Sequence, residues 1–241
     1  MATQFNSKPE AMTTETDIPA SRKYFGDTAF RYDERRESKQ TFHDDQYVLQ
    51  QFLNANVRPG SKLLDVACGT NRISPLVRDL GGHYHGIDAS SDMVSLARSK
   101  DPEADIVIAD ARKIPHPANN FDVVLAVKFL KWVPDDAALL EILKEISRVL
   151  RPGGTALLHQ KINVPARQRL IPSLRHALKM VLRPKSARAR PGPRTRTIGE
   201  RGFMDLCAQA GLNFRYSMAI GAISEMTNRP SFSAFYALEK M

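Results

Sequence analysis

The chain has 241 residues, 42% hydrophobic and 25% charged, ordinary proportions for a globular protein long enough to bury a large core. No apolar run approaches the length of a membrane-spanning helix, and the polar N-terminus lacks a signal core, so a membrane-spanning or secreted protein is not expected. Two cysteines, Cys68 and Cys207, are too few for a disulfide scaffold and point to a reducing, cytoplasmic setting, and no Cys/His spacing matches a zinc site. The net charge of +9 is unevenly placed. Residues 163–200 carry ten Arg or Lys against one acid, Glu200, while the remainder balances at 25 basic and 25 acidic residues.

Residues 1–20 are rich in Thr, Ser, Glu and Ala with few large apolar groups, a composition that predicts no fixed structure. Residues 21–57 read as a helical segment, with Tyr24, Phe25, Phe30 and Tyr32 first and Phe42, Tyr47, Val48 and Phe52 at helical spacing. Pro59-Gly60 marks the entry to a core over 58–162. Leu63, Leu64, Val66 and Ala67 form a nearly continuous apolar run, as a parallel strand covered on both faces requires. It runs into the small-residue turn Ala67-Cys68-Gly69-Thr70-Asn71. There Gly69 lets a ligand approach the backbone, and the following helix start, predicted over Arg72–Leu80, offers N–H groups to an anionic ligand.

Tyr84 to Asp88 reads as a second strand ending in an acid, and Asp88 lies 19 residues beyond Gly69, the spacing at which a carboxylate can accept ribose hydroxyls. A helix follows over Ser91–Ser99. Ile106 to Asp110 and Phe121 to Val127 read as the third and fourth strands. Asp135 caps a helix predicted over Asp136–Leu150, with Leu139, Leu140, Leu143, Ile146, Val149 and Leu150 as its apolar face and Pro152 as its stop. Thr155–His159 reads as the fifth strand. In 201–241, a helix over Gly202–Ala210 precedes strands Phe214–Ile220 and Phe232–Leu238. Trp132, after the fourth strand, is read as a core residue ahead of the competing reading, a platform for the acceptor.

Five segments in order, from the Ala67–Asn71 turn to Leu150-Arg151-Pro152-Gly153-Gly154, resemble class I S-adenosylmethionine (SAM)-dependent methyltransferases. The resemblance covers about residues 60–162 and lies with the small-molecule branch that includes ubiquinone and menaquinone biosynthesis enzymes. It implies a Rossmann-like α/β fold: a seven-stranded, mostly parallel sheet with helices on both faces and the last strand antiparallel. An N-terminal helical cap and a basic insertion before the last helix complete it. It implies SAM as cofactor, S-adenosylhomocysteine (SAH) as product, and a small-molecule acceptor methylated at O, N or C. By resemblance, Asp65, Ala67, Cys68, Gly69 and Asn71 form the cofactor turn. Asp88 serves the ribose hydroxyls and Asp110 the adenine amine, Ala89, Met93 and Ala111 are further cofactor-binding residues, and the main chain at Val127 and Lys128 approaches the sulfonium. Arg31-Tyr32-Asp33 resembles a segment of the cap, which places Tyr32 over the cofactor. The family usually has glycine at the positions of Ala67 and Asn71; asparagine tolerates a left-handed backbone but stands at the methionine end of the cofactor. A nicotinamide dinucleotide site would need glycine where Arg72 stands.

His159, at the end of the fifth strand, and His43, in the cap, are the candidate catalytic bases, and for each a hydrogen-bonded structural role is the competing reading. No metal site is expected. The 163–200 segment has three readings: a solvated charged loop, a basic amphipathic helix on an anionic membrane surface, or a nucleic-acid contact. Leu170, Ile171, Leu174, Leu178, Val181 and Leu182 form an apolar stripe over 166–183 and favour membrane or core packing, and the aromatic residues that stack bases are absent from 163–200. Two further functions stand beside the small-molecule enzyme: an RNA or DNA methyltransferase using the basic segment, and a non-catalytic SAM-fold binding or regulatory protein. Oligomeric state is not legible.

Overall fold

A computed structural model describes residues 33, 40–163, 196–220 and 231–241. Tyr24, Tyr32, the 1–20 segment and the 166–183 stripe lie outside the described residues.

The strands form because short apolar runs alternate their side chains between two buried faces. In β1 (Lys62–Val66), Leu63 joins one core layer, while Leu64 and Val66 join the other. β4 (Phe121–Ala126) repeats the pattern: Val123 and Leu125 point to one side, Val124 and Ala126 to the other. Between them in sequence come α2 (Ser74–Asp79), β2 (His83–Asp88), α3 (Ser91–Lys100) and β3 (Asp105–Ile108), preceded by the N-terminal helix α1 (Gln40–Asn56). After β4 follow a 3-10 turn at Leu130–Trp132, α4 (Asp136–Val149), β5 (Leu150–Asn163), α5 (Glu200–Gln209), β6 (Leu212–Ile220) and β7 (Ser231–Lys240). The seven strands make one sheet in the order β3-β2-β1-β4-β5-β7-β6, with β7 antiparallel to both neighbours and the other pairings parallel.

Helices α1, α2 and α3 cover one face through Leu49, Phe52, Leu53, Val77, Val94 and Ala97. Helices α4 and α5 cover the other through Leu139, Leu143, Ile146, Phe203 and Cys207. The chain therefore leaves β1 and β4, which are adjacent, toward opposite faces. That divergence opens a crevice at the carboxyl ends of the strands, where open α/β sheets bind ligands.

Several boundaries differ from the sequence reading. The first core helix is shorter, starting at Ser74 rather than Arg72, with Pro75 in its first turn, where a missing N–H breaks no helical bond. The Asp135 carboxylate does cap α4, accepting Ala138 N–H at 2.8 Å. Its buried face takes in Ile142, while Leu140 is only partly buried. The helix ends before Pro152, since Leu150 is already extended, and the Arg-Pro-Gly-Gly stretch belongs to β5. Gly154 is required there: a Cβ would stand 2.9 Å from the Arg151 carbonyl and 3.1 Å from that of Asp122. No helix among the described residues is long and apolar enough to cross a membrane.

Candidate functional site

The turn after β1 alternates left-handed residues: Ala67 at φ 61°, Gly69 at φ 58° and Asn71 at φ 62°. It is stitched to the end of β2, where Cys68 N–H donates to Ile87 O at 3.0 Å and Gly69 N–H to Asp88 Oδ2 at 2.9 Å. The other Asp88 oxygen accepts Ser90 N–H at 2.9 Å. Burial pushes the Asp88 carboxyl up from its usual value, opposed by these backbone donors. Each carboxylate oxygen has two acceptor sites, so Asp88 keeps capacity for further donors after both bonds. Nothing lies within 4 Å of where a Gly69 Cβ would stand, so the turn offers open backbone on its ligand side.

The crevice is a cleft of about 1040 Å³, its open mouth included. Ala67, Gly69, Asp88, Ala89 and Met93 border it from the β1 and β2 side, and Asp110, Ala111 and Arg112 from the end of β3. Val127, Lys128, Phe129 and Trp132 follow from the loop after β4, and Ala138 and Ile142 from α4. Apolar walls thus meet a few convergent polar groups, the usual make-up of a small-molecule site. Asp110 is held by its neighbour: its Oδ1 accepts Arg112 N–H at 2.8 Å, and its Oδ2 accepts Nε and Nη2 of Arg112 at 2.9 and 2.6 Å. Burial would raise the Asp110 carboxyl, but the Arg112 bonds outweigh it and hold the group below the usual range.

Asp65 lies behind the turn and not on the cleft. It is 2% exposed and accepts Tyr84 Oη–H at 3.1 Å. Burial raises its carboxyl to about 7, with the Tyr84 bond and the nearby Arg72 charge opposing. Cys68 is buried beside Gly86, and burial pushes its thiol up, which suits packing rather than nucleophilic chemistry. Asn71 turns away from the cleft, its amide donating to Asp101 Oδ2 at 3.2 Å, next to the Ser74 hydroxyl at 2.7 Å. It therefore does not crowd the cleft, and it borders a separate recess with Asp33, Phe42 and Arg78.

The two histidine candidates are not brought together with these groups. His159 is 0% exposed inside β5, its ring edge-on to Phe235 with centroids 4.8 Å apart, and it does not border the cleft. His43 is exposed on α1, edge-on to Phe42. The described residues bordering the cleft include no histidine.

Trp132 borders the cleft, as the less favoured of its two readings had it, with Lys131 Nζ 5.3 Å from its ring centroid. The structure also adds residues the sequence reading passed over. Ile142 appears because it falls on the α4 face turned to the cleft. Arg112 carried no distinguishing signal. Asp45 did carry one: it stands on the α1 stripe formed with Val48, Leu49, Phe52 and Leu53, where a carboxylate is out of place. Asp45 Oδ2 lies 2.8 Å from Lys128 Nζ.

Solved structures share this architecture. A Haemonchus contortus phosphoethanolamine N-methyltransferase 2, solved with phosphomonomethylethanolamine and SAH, superposes with TM-score 0.66 at 15% identity, covering 93% of this chain and 59% of that one. The cyclase SpnF superposes with TM-score 0.59 at 18% identity, covering 80% of each chain. The chain has the class I methyltransferase fold. Residues 64–158 match the family described as a methyltransferase domain. A Listeria welshimeri demethylmenaquinone methyltransferase is 38% identical over 106 residues, 41% of this chain and 44% of that enzyme. This methyltransferase-fold chain thus matches less than half the length of such curated relatives; the residues bordering the cleft all fall within 64–158, the stretch that matches the family.

Proposed function

We propose that the chain is a SAM-dependent methyltransferase acting on a small-molecule acceptor. The observation that carries this is the Gly69–Asp88 arrangement. An open glycine turn is bonded to a buried carboxylate that retains acceptor capacity, at the switch point of the sheet, in the segment that matches methyltransferases.

SAM, when bound, supplies a methyl group already activated by its sulfonium. The residues that would hold it are those bordering the cleft. Asp88 would accept the ribose hydroxyls, and Gly69 would let the cofactor lie against the backbone. Met93 and Ala111 would flank the adenine, with Asp110, locked by Arg112, meeting its amine. The main chain at Val127 and Lys128 and the rings of Phe129 and Trp132 would then wall the reacting end and exclude water, so that catalysis is chiefly positioning. With no histidine on the described cleft, the acceptor best suited is one that ionises easily or carries an activated carbon, since it needs no dedicated base.

The 164–195 segment leaves at Asn163 and returns at Arg196, and the returning end is bonded to the residue before Trp132, which borders the cleft. Asn163 N–H donates to Ile198 O at 2.9 Å, and Arg196 N–H donates to Lys131 O at 2.8 Å, next to Trp132. Its charge and apolar stripe support peripheral contact with an anionic membrane and collection of a lipid-linked acceptor. Failure to co-sediment with anionic liposomes at physiological salt removes that part of the reading. Salt-sensitive RNA binding would restore the nucleic-acid reading instead.

A second reading has one observation behind it: a protein described as a cyclase shares this fold, so the fold alone does not entail methyl transfer. Incubation with SAM and a panel of phenolic and lipid-linked acceptors separates the two. Acceptor-dependent release of SAH supports the transferase, and acceptor turnover without SAH release supports the other.

A further inference from the structure

Lys128 holds a backbone conformation that its residue type disfavours. It sits at φ 65°, where the Cβ of an L residue crowds the following carbonyl. Of the other non-glycine residues in this region among the described residues, Asn71 and Asn119 are of the type that tolerates it, and Ala67 has the smallest side chain. Lys128 has neither excuse. Its side chain is 16% exposed and ends 2.8 Å from Asp45, which is 1% exposed. Asp45 is carried by α1, whose next turns are fixed in the core by Val48, Leu49, Phe52 and Leu53.

A buried ion pair is weak evidence for stability, because desolvation offsets the attraction; its best-attested use is to select one arrangement. The arrangement at stake here is the wall of the cleft. Val127, Lys128 and Phe129 all border it, and the Phe129 carbonyl accepts Trp132 N–H at 2.9 Å, starting the 3-10 turn that brings Trp132 to the same cleft. Among the described residues bordering the cleft none belongs to α1, and Asp45 reaches that wall through Lys128.

We infer that the Asp45–Lys128 ion pair clamps the 127–129 main chain in the conformation that shapes the ligand cleft, making Asp45 a positioning residue. The inference rests on the methyltransferase reading for its binding probe, SAH, and the experiment has a second readout that needs no ligand.

Lys128→Ala and Lys128→Gly both remove the ammonium, and they differ in whether the left-handed residue carries a Cβ. Each is made together with Asp45→Asn, so that neither member of the pair is left facing the lost charge of the other. Calorimetric titration with SAH should then show the Lys128→Ala double variant binding about tenfold more weakly than the Lys128→Gly one, from the left-handed penalty of an L residue. Equal affinities would overturn the clamp, because they would mean that the main-chain conformation at 128 does not limit binding. In the ligand-free protein, Asp45→Asn alone should speed amide hydrogen exchange over residues 126–133 while leaving β1 and β2 unchanged. Unchanged exchange over 126–133 also overturns the clamp. If the unaltered chain fails to bind SAH while exchange still responds, the cofactor reading falls and the clamp stands. Should Asp45→Asn alone not fold, the charge-free double variants carry the titration.

Discussion

Asp65 should make the folded chain lose stability as pH rises, and Asp65→Asn should remove that loss. Its carboxyl, 2% exposed and bonded by Tyr84, is raised from the usual 3.8 to about 7 by burial. A carboxyl raised on folding keeps its proton in the folded chain over a range where the unfolded chain has released it. Stability is therefore fully retained below the unfolded value and falls as pH climbs toward the folded one. Carrying the group from 3.8 to about 7 costs the ionised folded state about 4 kcal/mol. About 3 kcal/mol of this falls between pH 5 and pH 8. Asparagine can accept the same Tyr84 bond, and any constant penalty from its buried amide cancels when two pH values are compared. Urea unfolding of both proteins at pH 5 and pH 8 gives the test. The stability of Asp65→Asn relative to the parent should improve by roughly 3 kcal/mol from the lower to the higher pH. A difference that stays flat would refute the reasoning and place a charged Asp65 in the folded chain throughout.

Three further outcomes follow from the geometry. Arg148 Nη1 and Nη2 donate to the His116 and Ile114 carbonyls at 2.8 and 2.9 Å, and Glu145 accepts Ile114 N–H at 2.8 Å, so this pair fastens the 114–116 loop to α4. Arg148→Ala should lower stability by about 2 kcal/mol in urea with an unchanged slope, and a loss under a few tenths would contradict it. Ala67→Gly should raise stability by about 0.5–1 kcal/mol, the left-handed penalty relieved less the entropy of the added glycine, seen as a higher melting temperature; a lower one would show that Ala67 is unstrained. Arg112→Ala takes both guanidinium donors from Asp110 Oδ2, while Oδ1 keeps the main-chain N–H, and should weaken SAH binding about five- to tenfold; unaltered affinity would remove the Arg112 side chain from the site.

The sheet was legible because its signals are local. Runs such as Leu63–Ala67 and Phe121–Val127 admit few alternatives to buried strands, and the acids Asp88 and Asp110 mark their ligand-bearing ends. Asn71, a residue type that tolerates left-handed backbone, adopts it; Ala67 adopts it too, which its small size alone did not signal. What the sequence did not reveal depends on side-chain direction. Asn71 was placed against the cofactor, yet Asp101 and Ser74, distant in sequence, draw its amide to the other side. His159 follows a strand whose end lies near the cleft, but β5 continues to Asn163, so the histidine falls inside the sheet rather than at its edge. Trp132 was read as core because an aromatic after a strand is usually packing, and the 3-10 turn at 130–132 re-aims it. Asp45 was legible in hindsight as a carboxylate on an apolar stripe, but its partner, Lys128, is far away in the chain and no periodicity links them.

The central claim, a SAM site built on the Gly69–Asp88 arrangement, is tested most directly by calorimetric titration of the full chain with SAM, in parallel with Asp88→Ala. The account predicts saturable binding by the parent, and at least about tenfold weaker binding by Asp88→Ala, whose lost carboxylate removes charge-assisted bonds worth roughly 1.5–3 kcal/mol each. Binding that Asp88→Ala leaves unchanged, or no binding by the parent, would contradict it.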